Sequence, residues 1–128
     1  MKRFLMGLLI LSSFGSVFAA KEVPTVRSIQ SKQSFDEIIA KGNAIVDFYA
    51  DWCGPCKRMA PDFCALAEDF PGVTFLKVNI DHAKPIADRY SIRSIPTIIF
   101  FKDGKEVERT VGKKSKKELR TKLKKQYK

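Results

Sequence analysis

Little in this chain of 128 residues offers covalent or membrane anchorage: there are three Cys, one Trp and one His. No apolar stretch approaches the roughly 20 residues that a membrane-crossing helix needs, which excludes a multispanning membrane protein. An odd cysteine count argues against a small scaffold stapled by disulfides. With only 7 Gly and 6 Pro, and 45% hydrophobic residues, the composition is that of a globular protein. A chain of this length forms one domain, which buries about two thirds of the surface exposed on unfolding and needs no structural metal.

Acidic residues are scarce too, 14 against 24 Lys plus Arg, but the scarcity is local. Residues 20–112 carry equal numbers of acidic and basic side chains, whereas residues 113–128 hold nine basic side chains and Glu118 alone. The net charge of +10 therefore belongs mainly to the carboxy-terminal tail. A nucleic-acid binder presents a basic face interleaved with aromatic or recognition elements; the neutral body supplies none, so nucleic acid is not an expected partner.

The amino end reads as a targeting segment. Lys2 and Arg3 precede an apolar stretch over residues 4–11, Ser12, Ser13, Gly15 and Ser16 dilute it, and Val17-Phe18-Ala19 supplies compact residues of the kind a signal peptidase accepts. Residues 1–19 are thus expected to be a signal peptide, with the mature domain spanning 20–128. Export places the cysteines where disulfides persist.

Along the mature chain, residues 23–29 read as extended. Ser34 and Glu37 have capping-box spacing ahead of a helix over 34–41, and the apolar run 44–50, broken only by Asp47, reads as a central strand covered on both faces. A helix follows Cys56, with Met59, Phe63, Leu66, Ala67 and Phe70 on one face; Pro61 should kink it, and Pro71-Gly72 ends it. Residues 73–80 and 97–101 read as strands, with a short helix over 83–90 between them. Asp103-Gly104 signals a hairpin into a strand over 106–111. Ser115 and Glu118 form a second capping box, opening a Lys-rich helix with a narrow Leu119, Leu123, Tyr127 stripe. The expected order is β-α-β-α-β-α-β-β-α.

Chemistry concentrates at Cys53-Gly54-Pro55-Cys56, where a strand gives way to a helix. Cysteines three apart lie on neighbouring positions of a first turn and can meet the separation of about 5.5 Å between Cα atoms that a disulfide requires. Cys53, at the helix N-terminus, faces unpaired N–H groups and the positive end of the macrodipole, which lower a thiol pKa and make it the natural nucleophile. Pro55 is tolerated there because first-turn N–H groups have no helical partner. The alternative is half of a zinc site with Cys64 and His82 as further ligands, although no second close pair accompanies them. Cys64, beside the Phe63 and Leu66 face, reads as a partly buried inert thiol, with intermolecular pairing the other reading; His82 reads as solvated.

Trp52-Cys53-Gly54-Pro55-Cys56-Lys57, preceded by Asp47-Phe48-Tyr49-Ala50 and followed by Pro61, resembles the active-site segment of the thioredoxin family. Ser94-Ile95-Pro96-Thr97, Phe101-Lys102-Asp103-Gly104 and Val111-Gly112 resemble that family's later landmarks in the same order. Two positions depart: Tyr49 stands where thioredoxins usually have Trp, and Ser94 where they have Gly. The resemblance covers about residues 25–127. It implies an α/β thioredoxin fold, a central mixed sheet flanked by helices on both faces, and a protein-disulfide reductase whose only redox group is the Cys53–Cys56 couple, with no separate cofactor.

The resemblance further implies that Cys53 attacks, Cys56 resolves the mixed disulfide, and Asp47 accepts the Cys56 proton with Lys77 as its partner. Trp52, Gly54, Pro55, Ile95, Pro96 and Gly112 would form the substrate surface, with Pro96 in the cis form. The alternative readings are a disulfide oxidase or isomerase, and a non-catalytic binding module. Asp47 could instead be a structural acid, Lys77 an edge-strand charge and Pro96 a trans proline. An exported monomer of this kind requires an electron donor, such as a membrane-bound thiol protein. The tail is either a solvated helix face packed on the sheet or a patch for acidic proteins or anionic lipid.

Overall fold

The computed structural model describes Gly15 and residues 25–128; the expected signal peptide, its cleavage point and the start of the first extended segment lie outside the described residues. The elements are β1 (Arg27–Ser28), α1 (Lys32–Ile39), β2 (Asn43–Tyr49), α2 (Gly54–Asp69), β3 (Val73–Asn79), α3 (Lys84–Arg89), β4 (Thr97–Lys102), β5 (Lys105–Val111) and α4 (Lys116–Gln126). This is the order expected from the sequence.

One five-stranded sheet runs β1-β3-β2-β4-β5. β2 pairs in parallel with β3 and antiparallel with β4, so the sheet is mixed. Side chains alternate across a strand, and β2 and β4 are apolar on both sides. Ala44, Val46, Phe48, Ile99 and Phe101 meet Phe35 and Ile39 of α1 and Ile86 of α3 on one face. Ile45, Ile98 and Phe100 meet Met59, Phe63 and Leu66 of α2 and Leu119 and Leu123 of α4 on the other. The fully apolar runs are therefore explained by two cores that share one sheet.

Local signals fix the ends. Asp103 and Gly104 both have positive φ, 48° and 81°, as a two-residue hairpin turn matched to strand twist requires. The capping box of α4 is reciprocal: Glu118 N–H donates to Ser115 Oγ at 3.2 Å and Ser115 N–H to Glu118 Oε2 at 2.8 Å. The capping box expected for α1 is corrected. The helix starts a half-turn earlier, with Ser31 as cap accepting from Ser34 N–H at 3.4 Å, and Glu37 takes a side-chain bond from Gln33 instead of reaching back. Ser31 precedes Ser34 by three residues, so it satisfies a first-turn donor and lets the helix include Ser34 itself. α2 continues through Pro61 to Asp69.

Candidate active site

The parallel strand β2 ends at Tyr49, and a short turn over 50–53 delivers the chain to the start of α2. Cys53 caps that helix: its Sγ accepts from Cys56 N–H at 3.2 Å. The two sulfurs are joined as a disulfide with Cα atoms 5.3 Å apart, matching the spacing argument. Burial does not distinguish them, since Cys53 is 4% and Cys56 3% exposed. What sets Cys53 apart is its place at the unpaired N–H end of the helix and its neighbour, the Ile95 carbonyl oxygen 3.9 Å away. That carbonyl precedes Pro96, and the Ile95–Pro96 bond is cis.

Gly112 closes the same surface from the end of β5. Its N–H donates to Pro96 O at 2.8 Å, and its φ of 88° is a conformation that a side chain would strain. Trp52 is 68% exposed yet held, its indole N–H donating to Asp81 Oδ2 at 2.9 Å. Asp81 is itself placed by a turn in which its N–H donates to Asn79 Oδ1 at 2.9 Å. Nothing in the sequence ties residue 81 to residue 52; only the parallel pairing of β2 with β3 brings their following turns together.

Beneath Cys56 lies a cavity of about 310 Å³ lined by Asp47, Tyr49, Cys56, Lys57, Ala60 and Lys77, among others. Asp47 shares the sheet face of Ile45, under α2, and its Oδ1 has no hydrogen-bond partner among the described residues. Burial pushes its pKa up from 3.8 to about 7, and the positive charge of Lys77 pulls it partly back. Lys77 sits directly beside Asp47 in the β2–β3 register, on a strand flanked by β1 and β2, so it is not an edge-strand charge. Its Nζ lies 5.1 Å from the centre of the Tyr49 ring, which holds the ammonium by a cation–π contact, with no carboxylate bonded to it among the described residues. Sequence reasoning missed Lys57 and Asp81 as parts of this site, whereas Tyr49 stood in the segment that resembles the active site. Lys57 was legible in principle, because it adjoins Cys56 in the quoted motif.

The remaining expected ligands do not gather. Cys64 is exposed on α2, a correction to the partly buried thiol expected; its position falls on the outer side of the helix relative to Phe63. His82 is exposed, and among the described residues no group of three or more His, Cys, Asp or Glu could hold a metal. Ser94 is exposed and its carbonyl accepts from Thr97 Oγ1 at 2.6 Å.

Comparison with known proteins matches this arrangement. The thioredoxin family model covers residues 26–125. Thioredoxin of Chlamydia trachomatis is 53% identical over 91 residues, which is 71% of this chain and 89% of that one. Among solved structures, thioredoxin of Fasciola hepatica is 39% identical with a TM-score of 0.74, covering 78% of this chain and 98% of that one. Thioredoxin of Plasmodium falciparum is 34% identical with a TM-score of 0.76, covering 80% of this chain and all of that one. With its disulfide at the start of α2, its cis proline opposite and a family match over most of its length, the chain belongs to the thioredoxin family of thiol-disulfide oxidoreductases.

Proposed function

We propose that the protein is an exported reductase of protein disulfides. The observation that carries this reading is the cavity joining Asp47 to Cys56 directly beneath the helix start occupied by Cys53. In the reduced protein, the Cys53 thiolate attacks one sulfur of a substrate disulfide, and the other substrate sulfur leaves as a thiolate. The substrate chain lies along the Ile95 backbone beside Pro96 and Gly112, over Trp52, Gly54 and Pro55. Cys56 then gives its proton to Asp47, whose pKa near 7 suits a base working at neutral pH, and its sulfur attacks Cys53 Sγ. The second substrate thiol departs and the Cys53–Cys56 disulfide remains. Lys77 positions the Asp47 charge from the neighbouring strand.

The direction rests on the Gly54-Pro55 pair, which places no cation between the cysteines that would over-stabilise the thiolate. Export by the segment over 1–19 requires that electrons return from another thiol protein, in our reading one bound to the membrane. Equilibration with glutathione should give a potential near about −270 mV. A value above about −150 mV would replace the reductase reading with that of an oxidase.

A further inference from the structure

A second concave surface lies between β5 and α4, away from the cysteines but joined in the chain to the substrate edge at Gly112. Thr110 on β5 forms its floor, and Lys114, Lys117, Thr121, Lys122 and Lys125 rise around it, enclosing a groove of about 760 Å³. Thr110 pairs with Ile98, which packs against Leu119 and Leu123, so it faces α4. It is 6% exposed, and its hydroxyl has no hydrogen-bond partner among the described residues. Lys122 is already neutralised by Glu108. Lys114, Lys117 and Lys125 make no ion pair among the described residues. The groove's one wall carboxylate, Glu118, is held by the Ser115 N–H in the capping box. Three lysines outside any direct ion pair therefore surround an unpartnered hydroxyl, and they outnumber the carboxylates nearest to them, Glu108 beside Lys125 and Glu118 beside Lys114.

The position of the groove decides what it is for. Gly112, bonded to Pro96 O, stands two residues before Lys114, so the segment that closes the substrate edge goes on to supply the first basic wall residue. We propose that this groove engages an acidic segment of the substrate protein, on the same chain as the disulfide and to one side of it. The proposal rests on the reductase reading and narrows it to substrates with carboxylates flanking their cysteines. A lysine-lined concavity with one unpartnered hydroxyl at its floor fits an extended peptide, whose carboxylates take the ammonium groups while a backbone carbonyl takes the Thr110 hydroxyl; the Thr121 hydroxyl already donates to Lys117 O at 2.9 Å. A lipid surface, being broad, would meet the rim alone.

Short peptides joined by one disulfide provide the test, extended on either side of the cysteine by a run of Glu or, as control, of Ser. At low ionic strength the Glu-extended peptide should be reduced with a kcat/KM about tenfold higher, the advantage shrinking as salt is added. The combined variant Lys114→Gln, Lys117→Gln, Lys125→Gln should lose that advantage and keep the wild-type rate on the Ser-extended peptide. Equal rates for the two peptides in the wild type, or an advantage that survives in the variant, would sink the proposal and leave the reductase reading standing. Charge-dependent sedimentation with phosphatidylglycerol vesicles without any peptide preference would assign the groove to a membrane instead. If neither peptide is reduced, both readings fall together.

Discussion

Asp47 is the residue at which fold stability and chemistry conflict. Its carboxyl titrates near 3.8 when free and near 7 in place, because burial disfavours the charged form more than Lys77 supports it. Between those values the folded protein holds a proton that the unfolded chain has lost, so stability falls as pH rises through this window and stays low above it. Asp47→Ala should therefore stabilise the protein by about 2–4 kcal/mol at pH 8, since each tenfold change in proton affinity on folding is worth about 1.4 kcal/mol and truncation returns some of it. The gain should shrink towards zero at pH 4, where the carboxyl is neutral in the folded state. Urea unfolding at the two pH values measures this, and an equal gain at both would mean that packing, not ionisation, governs the site. Disulfide exchange should slow in the same variant if Asp47 takes the Cys56 proton as proposed.

Elements are more legible than the contacts between them. Strand β2 can be read because apolar residues on both faces leave only a doubly covered strand, and α4 because its capping box is the sole local competitor for the first-turn donors. At α1 two serines three residues apart compete for the same role, and the sequence carries no measure of which end packs against the sheet. The Trp52–Asp81 bond and the Tyr49–Lys77 contact are illegible for a different reason: each joins residues 29 or 28 positions apart, through a strand pairing that periodicity does not specify. The last residues of the tail show the same limit. Periodicity places Tyr127 on the apolar stripe, yet its hydroxyl also lies 2.8 Å from both Ala44 O and Phe101 O, the opposed residues at the far end of β2 and β4. Burial pushes its phenol pKa well above the usual value, keeping it a donor. Tyr127→Phe should lower stability by about 1–2 kcal/mol in denaturant unfolding. The rate of disulfide exchange should be unchanged, because Cys53 lies beyond the opposite end of β2. A loss of rate with intact stability would show that the tail acts on the redox site.

At the scale of the whole molecule, redox poise and folding are one equilibrium seen from two sides. The sheet is shared by both cores, and α2 carries the cysteines at one end while its Met59, Phe63 and Leu66 lie in one of those cores. Anything that favours the disulfide or the dithiol at the helix start is therefore felt as a change in global stability. A fold that holds the disulfide form more tightly than the dithiol lowers the reduction potential, and one that holds the dithiol raises it, as in the strong oxidases of about −120 mV. The features here pull towards the disulfide. No cation stands between the cysteines to stabilise a Cys53 thiolate, and reduction adds a second thiol above the unpartnered Asp47 carboxyl, whose own charge opposes ionisation nearby. The gap between about −270 mV and −120 mV corresponds to about 7 kcal/mol, large against a typical folding free energy. The oxidised protein should accordingly unfold at a distinctly higher denaturant concentration than the reduced protein, with single transitions of equal steepness when followed by Trp52 fluorescence and by circular dichroism. If the reduced form proves the more stable, the cycle requires an oxidising protein, whatever the resemblance of its motif.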